Sequence, residues 1–188
     1  IMLMPEAAQG MAWFFIILAT IGSVYGALSA VAQKDLKYIN AYSSVSHLGL
    51  ILFAALMFNQ VAYEGAVLQM ISHGLITALF FALIGMIYSR THTRNIYEMG
   101  GIMKVMPILG VAYMVAGFAS LGLPGFSAFV AEMTIFVGAF QNDDLFIRVA
   151  TILVISSIVI TAVYILRAAA IMLYGQIKNK EFETLPDA

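Results

Sequence analysis

Three side chains able to carry a proton stand inside otherwise apolar sequence. Glu132 lies in Phe126-Ser127-Ala128-Phe129-Val130-Ala131-Glu132-Met133-Thr134-Ile135-Phe136, His47 in Ser43-Ser44-Val45-Ser46-His47-Leu48-Gly49, and His73 in Gln69-Met70-Ile71-Ser72-His73-Gly74. Imidazole both donates and accepts and titrates near pH ~6.5 when unperturbed, so it suits proton hand-over at neutral pH. Serines within a turn of each histidine can hold water, the other requirement of a relay. Two imidazoles and a carboxylate are also a known metal ligand set, but each comes from a different segment and their spacing does not call for metal. A structural carboxylate and two packing histidines are the alternative to a relay. No Ser–His–Asp order, glycine-rich phosphate loop or haem attachment sequence occurs, so no catalytic triad or bound cofactor is expected.

The elements that must position these groups follow from composition. Of 188 residues, 62% are hydrophobic and 10% charged, and the mean hydropathy is +0.96. Soluble domains carry about 25% charge, so the surface must face lipid, which excludes a water-soluble globular enzyme. The net charge of −1 gives no basic excess for nucleic acid, and the absence of cysteine removes disulfides, iron–sulfur ligation and thiolate zinc. The first residues have no basic n-region and the last follow a polar stretch, so the chain reads as a piece of a longer polytopic protein from which no signal peptide can be read.

A hydrocarbon core of roughly 30 Å takes about 20 apolar residues of helix. Stretches at about 10–32, 40–58, 66–88 and 148–173 meet that length, and a longer run covers about 105–140. Leu121-Gly122-Leu123-Pro124-Gly125 interrupts this run; proline removes a backbone donor and clashes with the preceding turn, so the helix breaks near 121–126. Counting 105–140 as one broken span places eight of the nine basic residues on one side with only Arg148 opposite, whereas counting two spans gives 6:3. The positive-inside rule selects five spans, with the first residues outside and the 174–188 segment inside. The fold class is therefore an all-α integral membrane bundle of five helices, one of them discontinuous at Leu123, Pro124 and Gly125. Such a break survives in lipid only when buried in protein or lining a hydrated cavity, which makes it a pointer to transport, although a proline kink can serve packing alone.

On this topology His47 and His73 enter from opposite faces by roughly 10 Å each, and so can lie at neighbouring depths. Lys37, at the inner mouth of the second span, is either a snorkelling lysine or the inner entrance of the relay. Arg90, Arg94 and Lys104 are loop anchors, Arg167 serves snorkelling or packing, and Trp13 and Tyr174 are interfacial aromatics.

Gln33-Lys34-Asp35-Leu36-Lys37 running into Ala41-Tyr42-Ser43-Ser44-Val45-Ser46-His47-Leu48-Gly49 resembles the signature of the antiporter-like subunits of respiratory complex I. Gly65-Ala66-Val67-Leu68-Gln69-Met70-Ile71-Ser72-His73-Gly74, His92-Thr93-Arg94, Met99-Gly100-Gly101 and Leu121-Gly122-Leu123-Pro124-Gly125-Phe126 extend the resemblance along the chain. Tyr38 stands where the signature has arginine, and Asn40 replaces an aliphatic residue. A glutamate in the broken helix resembles the M-type (subunit 4) members, the L- and N-type carrying lysine there. The resemblance implies the second of two inverted five-helix repeats in a proton-translocating NADH:quinone oxidoreductase subunit. Flavin, iron–sulfur clusters and quinone would then sit in partner subunits, beside other membrane subunits, in a bacterial inner membrane with the C-terminus cytoplasmic. Glu132, His47, His73 and Lys37 become the relay by this resemblance, without a metal. Mrp-type cation/proton antiporters and membrane-bound hydrogenases share the motifs, and a scaffold without an ion path is the third reading.

Overall fold

The computed structural model describes residues 5–187; the expectations for residues 1–4 and Ala188 fall outside the described residues. Its elements are α1 (Pro5–Gly10), α2 (Ala12–Ala32), α3 (Leu36–Ala55), α4 (Gln60–Thr91), α5 (Ile102–Val105), α6 (Pro107–Ser120), α7 (Ser127–Phe140), α8 (Leu145–Leu173) and a 3-10 turn at Lys180–Thr184. No strand occurs among the described residues. The predicted helical stretches are all occupied, with boundaries moved by local capping. Asp35 caps α3 from its side chain, so that helix starts ahead of residue 40. Asn59 caps α4 and His92 ends it in the left-handed conformation, giving 32 residues in place of the shorter stretch expected. Asp144 does the same for α8.

Three described helices are long and apolar enough to cross a membrane: α2, α4 and α8. α3 has the length, at 20 residues, but Asn40, Ser43, Ser44, Ser46 and His47 dilute its apolar character. α6 and α7 are 14 residues each and individually too short.

The core is two apolar clusters stacked end to end. One gathers Ile16 and Ala19 of α2, Leu50 and Phe53 of α3, Ala62 and Ala66 of α4, Ile135 and Ala139 of α7, and Val154 of α8. The other takes Ala27 and Ala30 of α2, Leu36 and Ile39 of α3, Ile84 and Ile87 of α4, Leu109 and Ala116 of α6, and Ala168 and Met172 of α8. α2, α4 and α8 therefore run from the first cluster to the second, and α3 runs back. α6 packs in the second cluster and α7 in the first. Between the clusters every long helix turns polar: Thr20 and Ser23, Ser43 to His47, Gln69 to His73, Glu132, and Ser157 and Thr161.

Small residues let the helices meet closely at this polar level, as expected where lipid supplies no hydrophobic drive between helices. Ser46 Oγ donates to the Ser23 carbonyl at 2.8 Å, and the Ser23 and Ser157 hydroxyls pair at 2.9 Å. A Cβ on Gly49 would lie 2.6 Å from Ser23 N and 2.8 Å from Ala19 O, both backbone atoms that cannot turn aside. Gly49→Ala is expected to destabilise the bundle by about 1–3 kcal/mol, read as a lowered thermal midpoint in nanodiscs. Gly85→Ala, with nothing within 4 Å of the new methyl, is the matched control and should leave the midpoint nearly unchanged.

The end of the bundle at the second cluster is closed by loops that hold one another. Leu36 N donates to Arg94 O, Ile96 N to Lys34 O, and Arg94 Nε to Asp35 Oδ2 at 3.1 Å. Arg167 donates to the carbonyl of Gln33, which ends α2. The 174–187 segment, expected to be merely polar, instead buries Phe182 in the apolar cluster. Exposed Glu98 accepts from Thr93 Oγ1 at 2.5 Å and Asn95 Nδ2 at 2.8 Å, which hold its carboxyl below the usual 4.5. A carboxyl depressed on folding stabilises the folded loop above its unfolded pKa, and that contribution is lost as pH falls through its folded one. Amide exchange across 93–98, corrected for its intrinsic pH dependence, is therefore expected to quicken as pH drops below about 4.5. Glu98→Gln should remove that pH dependence.

Candidate functional site

The polar level holds two groups of buried side chains. In the first, α3 and α4 face each other so that the His47 and His73 rings lie 4.9 Å apart, centroid to centroid, inclined by 37°. Gln69 Nε2 is 3.4 Å from His47 Nδ1, and Thr77 Oγ1 is 3.2 Å from His73 Nε2. His47 is buried and His73 half-buried. The adjacency in depth expected from helix rise is thus met by adjacency in space.

The second group surrounds Glu132, which is 5% exposed although it can carry charge. α6 ends with Gly122 N donating to Ala119 O and Leu123 N to Phe118 O, and with Gly122 in the left-handed conformation at φ 61°. This Schellman arrangement satisfies carbonyls that the end of a helix leaves open, and Pro124 then prevents the helix from continuing. The turn folds over α7, so that a Cβ built on Gly122 would run into Glu132 Oε2. Tyr164 of α8, itself buried, points its hydroxyl at α3. That hydroxyl donates to Ser43 Oγ at 2.6 Å. Ser43 and His47 are four residues apart on α3 and share one face. α3 therefore carries Ser43, paired with Tyr164, on the same face as His47, which meets His73.

Burying a polar atom without a partner is costly, and native structures pair such atoms with protein or water. Asn40 Nδ2, His47 Nε2, Gln69 Oε1, Ser72 Oγ and Glu132 Oε1 are all buried without a protein hydrogen bond. They lie in or beside the two groups, and Arg167 Nε, outside them, is another such atom. A cavity of about 10 Å³ is bounded by Asn40, Ser43 and Tyr164 and otherwise mostly by apolar side chains such as Leu36, Phe80 and Ile84. That is close to the least volume that holds a water. On its other side Glu132 lines a groove of about 670 Å³ between α7 and α8, walled mostly by apolar residues such as Phe129, Phe136 and Ile155, with Gln141 also in its lining.

The structure does not bring all the predicted site residues together. Lys37 is exposed in the first turn of α3, its amide donating to Asp35 Oδ1, one turn before Asn40. Leu123, Pro124 and Gly125 are exposed in the break, and it is Gly122 that meets the carboxylate. Ser46, read as a water holder, is spent on the α2 backbone. Tyr164 and Gln69 were not singled out. Each is a polar residue within a long apolar helix, and that is the signal which could have found them. Among the described residues no three His, Asp or Glu side chains gather as a metal site.

Fold and site define an all-helical membrane protein of antiporter-like architecture, in which a polar layer meets a broken helix. The family described as NADH:quinone oxidoreductase/Mrp antiporter, TM, matches residues 1–177, and the chain belongs to it. It is 41% identical over 192 residues to the NAD(P)H-quinone oxidoreductase chain 4 of Acaryochloris marina, with 99% of this chain and 36% of that protein covered. To the NADH-quinone oxidoreductase subunit M of Rickettsia bellii it is 36% identical over 185 residues, covering 98% and 37%. A chain of respiratory complex I from Thermus thermophilus with bound NADH matches with TM-score 0.88 at 26% identity, covering 98% of this chain and 38% of that one. The chain thus spans a little over a third of the length of the curated relatives it matches.

Proposed function

We propose that this chain is the second five-helix repeat of an M-type, proton-translocating subunit of an NADH:quinone oxidoreductase. The observation that carries the reading is the run of unpartnered buried polar atoms along α3 and α4, ending at Glu132 under the helix break. Protons enter from the Lys37 end, pass by water along Asn40 and Ser43 to His47 and His73, and from there reach Glu132. Electron transfer at flavin, iron–sulfur clusters and quinone in partner subunits drives the movement, and no redox group belongs to this chain. Five crossings are supported by the alternation of α2, α3, α4, α6 with α7, and α8 between the two apolar clusters. With basic residues gathered at the Lys37 end, that end is cytoplasmic and the bilayer is the bacterial cell membrane.

The family description names Mrp antiporters beside the oxidoreductases, so the test must separate the two. The complex containing the full-length protein is purified and sealed into vesicles. NADH oxidation coupled to quinone reduction and proton uptake is the expected result. Sodium-for-proton exchange with no quinone reduction would overturn it in favour of the antiporter.

A further inference from the structure

The 174–187 segment is ordered by a set of contacts that the relay does not use. Tyr174 O accepts from Gly101 N at 3.0 Å, and Lys178 Nζ donates to Tyr97 O at 2.8 Å. Gly100 lets the segment pass so closely that a Cβ there would lie 2.6 Å from Gln176 O. Phe182 then enters the apolar cluster. Beyond it, Arg90 at the end of α4 donates from Nε to Pro186 O at 3.0 Å and from Nη2 to Asp187 O at 3.3 Å. This grip aims the Asp187 carboxylate at the start of α6, where Oδ2 accepts from Ile108 N at 2.9 Å and Oδ1 from Leu109 N at 3.4 Å.

α6 needs that cap from elsewhere. Met106, at its N-cap position, supplies no side-chain acceptor, and Pro107 at the first position has no N–H to satisfy. The next donors are those of Ile108 and Leu109, and a carboxylate there also complements the helix dipole. α6 is a 14-residue rod whose far end is the Gly122 turn lying on Glu132. α6 thus links the start held by Asp187 to the turn on Glu132.

We infer that the 174–187 strap is a latch: Asp187, held by Arg90, pins the first residues of α6 and thereby sets the Gly122 turn against Glu132. Asp187 is a positioning residue, remote from the proton path, and its effect on pumping rests on the function proposed above.

The test uses the full-length protein in its assembled complex, comparing Asp187→Ala with Asp187→Asn, since asparagine keeps a capping oxygen. Hydrogen exchange at 108–109 is expected to rise roughly five- to tenfold in the alanine variant, the scale of a lost cap, together with faster exchange at 121–123. Protons moved per electron should fall, and Asp187→Asn should restore all three. Unchanged exchange at 108–109 would overturn the latch. Faster exchange there with 121–123 unchanged would overturn the coupling to the break. If both exchange changes occur while pumping responds to neither Asp187→Ala nor Glu132→Gln, the latch stands and the proposed function fails.

Discussion

Glu132→Gln in the assembled complex is expected to lower proton flux through this subunit about a hundredfold, the lower range of what a positioned acid–base group contributes. Gln keeps the shape and the hydrogen-bonding capacity of the side chain but cannot release and regain a proton. The variant should therefore assemble normally, and its helices should melt within a few degrees of the wild type. A charged group at this depth costs at least about 2.5–3.5 kcal/mol on insertion scales, so neutralising it should not harm the fold. The decisive quantity is protons taken up per NADH oxidised, measured in sealed vesicles with a pH-sensitive dye. An unchanged ratio would reduce Glu132 to a packing residue and leave the scaffold reading in place. Glu132→Asp sharpens the result. It retains the ionisable group but draws it back by one methylene from the Gly122 turn, so an intermediate flux is expected if position as well as charge matters.

Much of this site was legible because a membrane makes polar residues conspicuous. Glu132, His47 and His73 each interrupt an apolar run, and counting helix rise from opposite faces placed the two histidines at similar depth; the structure brings their rings to 4.9 Å. The break was legible too, since Pro124 cannot continue a helix. Its working residue was not. Proline drew attention to 123–125, whereas the side chain that decides the geometry is the missing one at Gly122, whose importance depends on where α7 places the Glu132 carboxylate. Tyr164 escaped for a similar reason. A tyrosine inside an apolar helix reads as one more large side chain in the run, and only the packing of α8 on α3 shows its hydroxyl donating to Ser43. Spacing within one helix reveals a face; it does not reveal which helix meets that face. The 174–187 strap lay further out of reach. Its composition is polar, and its order rests on Phe182, on close passage over Gly100 and on an aspartate capping a helix nearly eighty residues away.

Gly122→Val is expected to be as damaging to proton flux as loss of the carboxylate itself, for a reason that a second glycine can isolate. At φ 61° a β-branched residue is strained, and the new Cβ meets the Glu132 carboxylate directly. Strain and crowding together should destabilise the bundle by about 1–3 kcal/mol and push the carboxylate away from the turn. Gly125 is also left-handed, at φ 107°, but a Cβ there meets nothing within 4 Å. Gly125→Ala is therefore strained without touching Glu132, and should lower the thermal midpoint while preserving protons per electron. Gly122→Asn supplies the converse. Asparagine tolerates the left-handed region better than other residues, so the turn should hold more of its stability, yet its Cβ still collides with the carboxylate and flux should still fall. If stability and flux drop in proportion across all three variants, the break acts only through folding. If Gly122→Asn loses flux with little loss of stability while Gly125→Ala does the reverse, the turn is what holds Glu132 in the proton path, and the broken helix is a positioning device for that carboxylate.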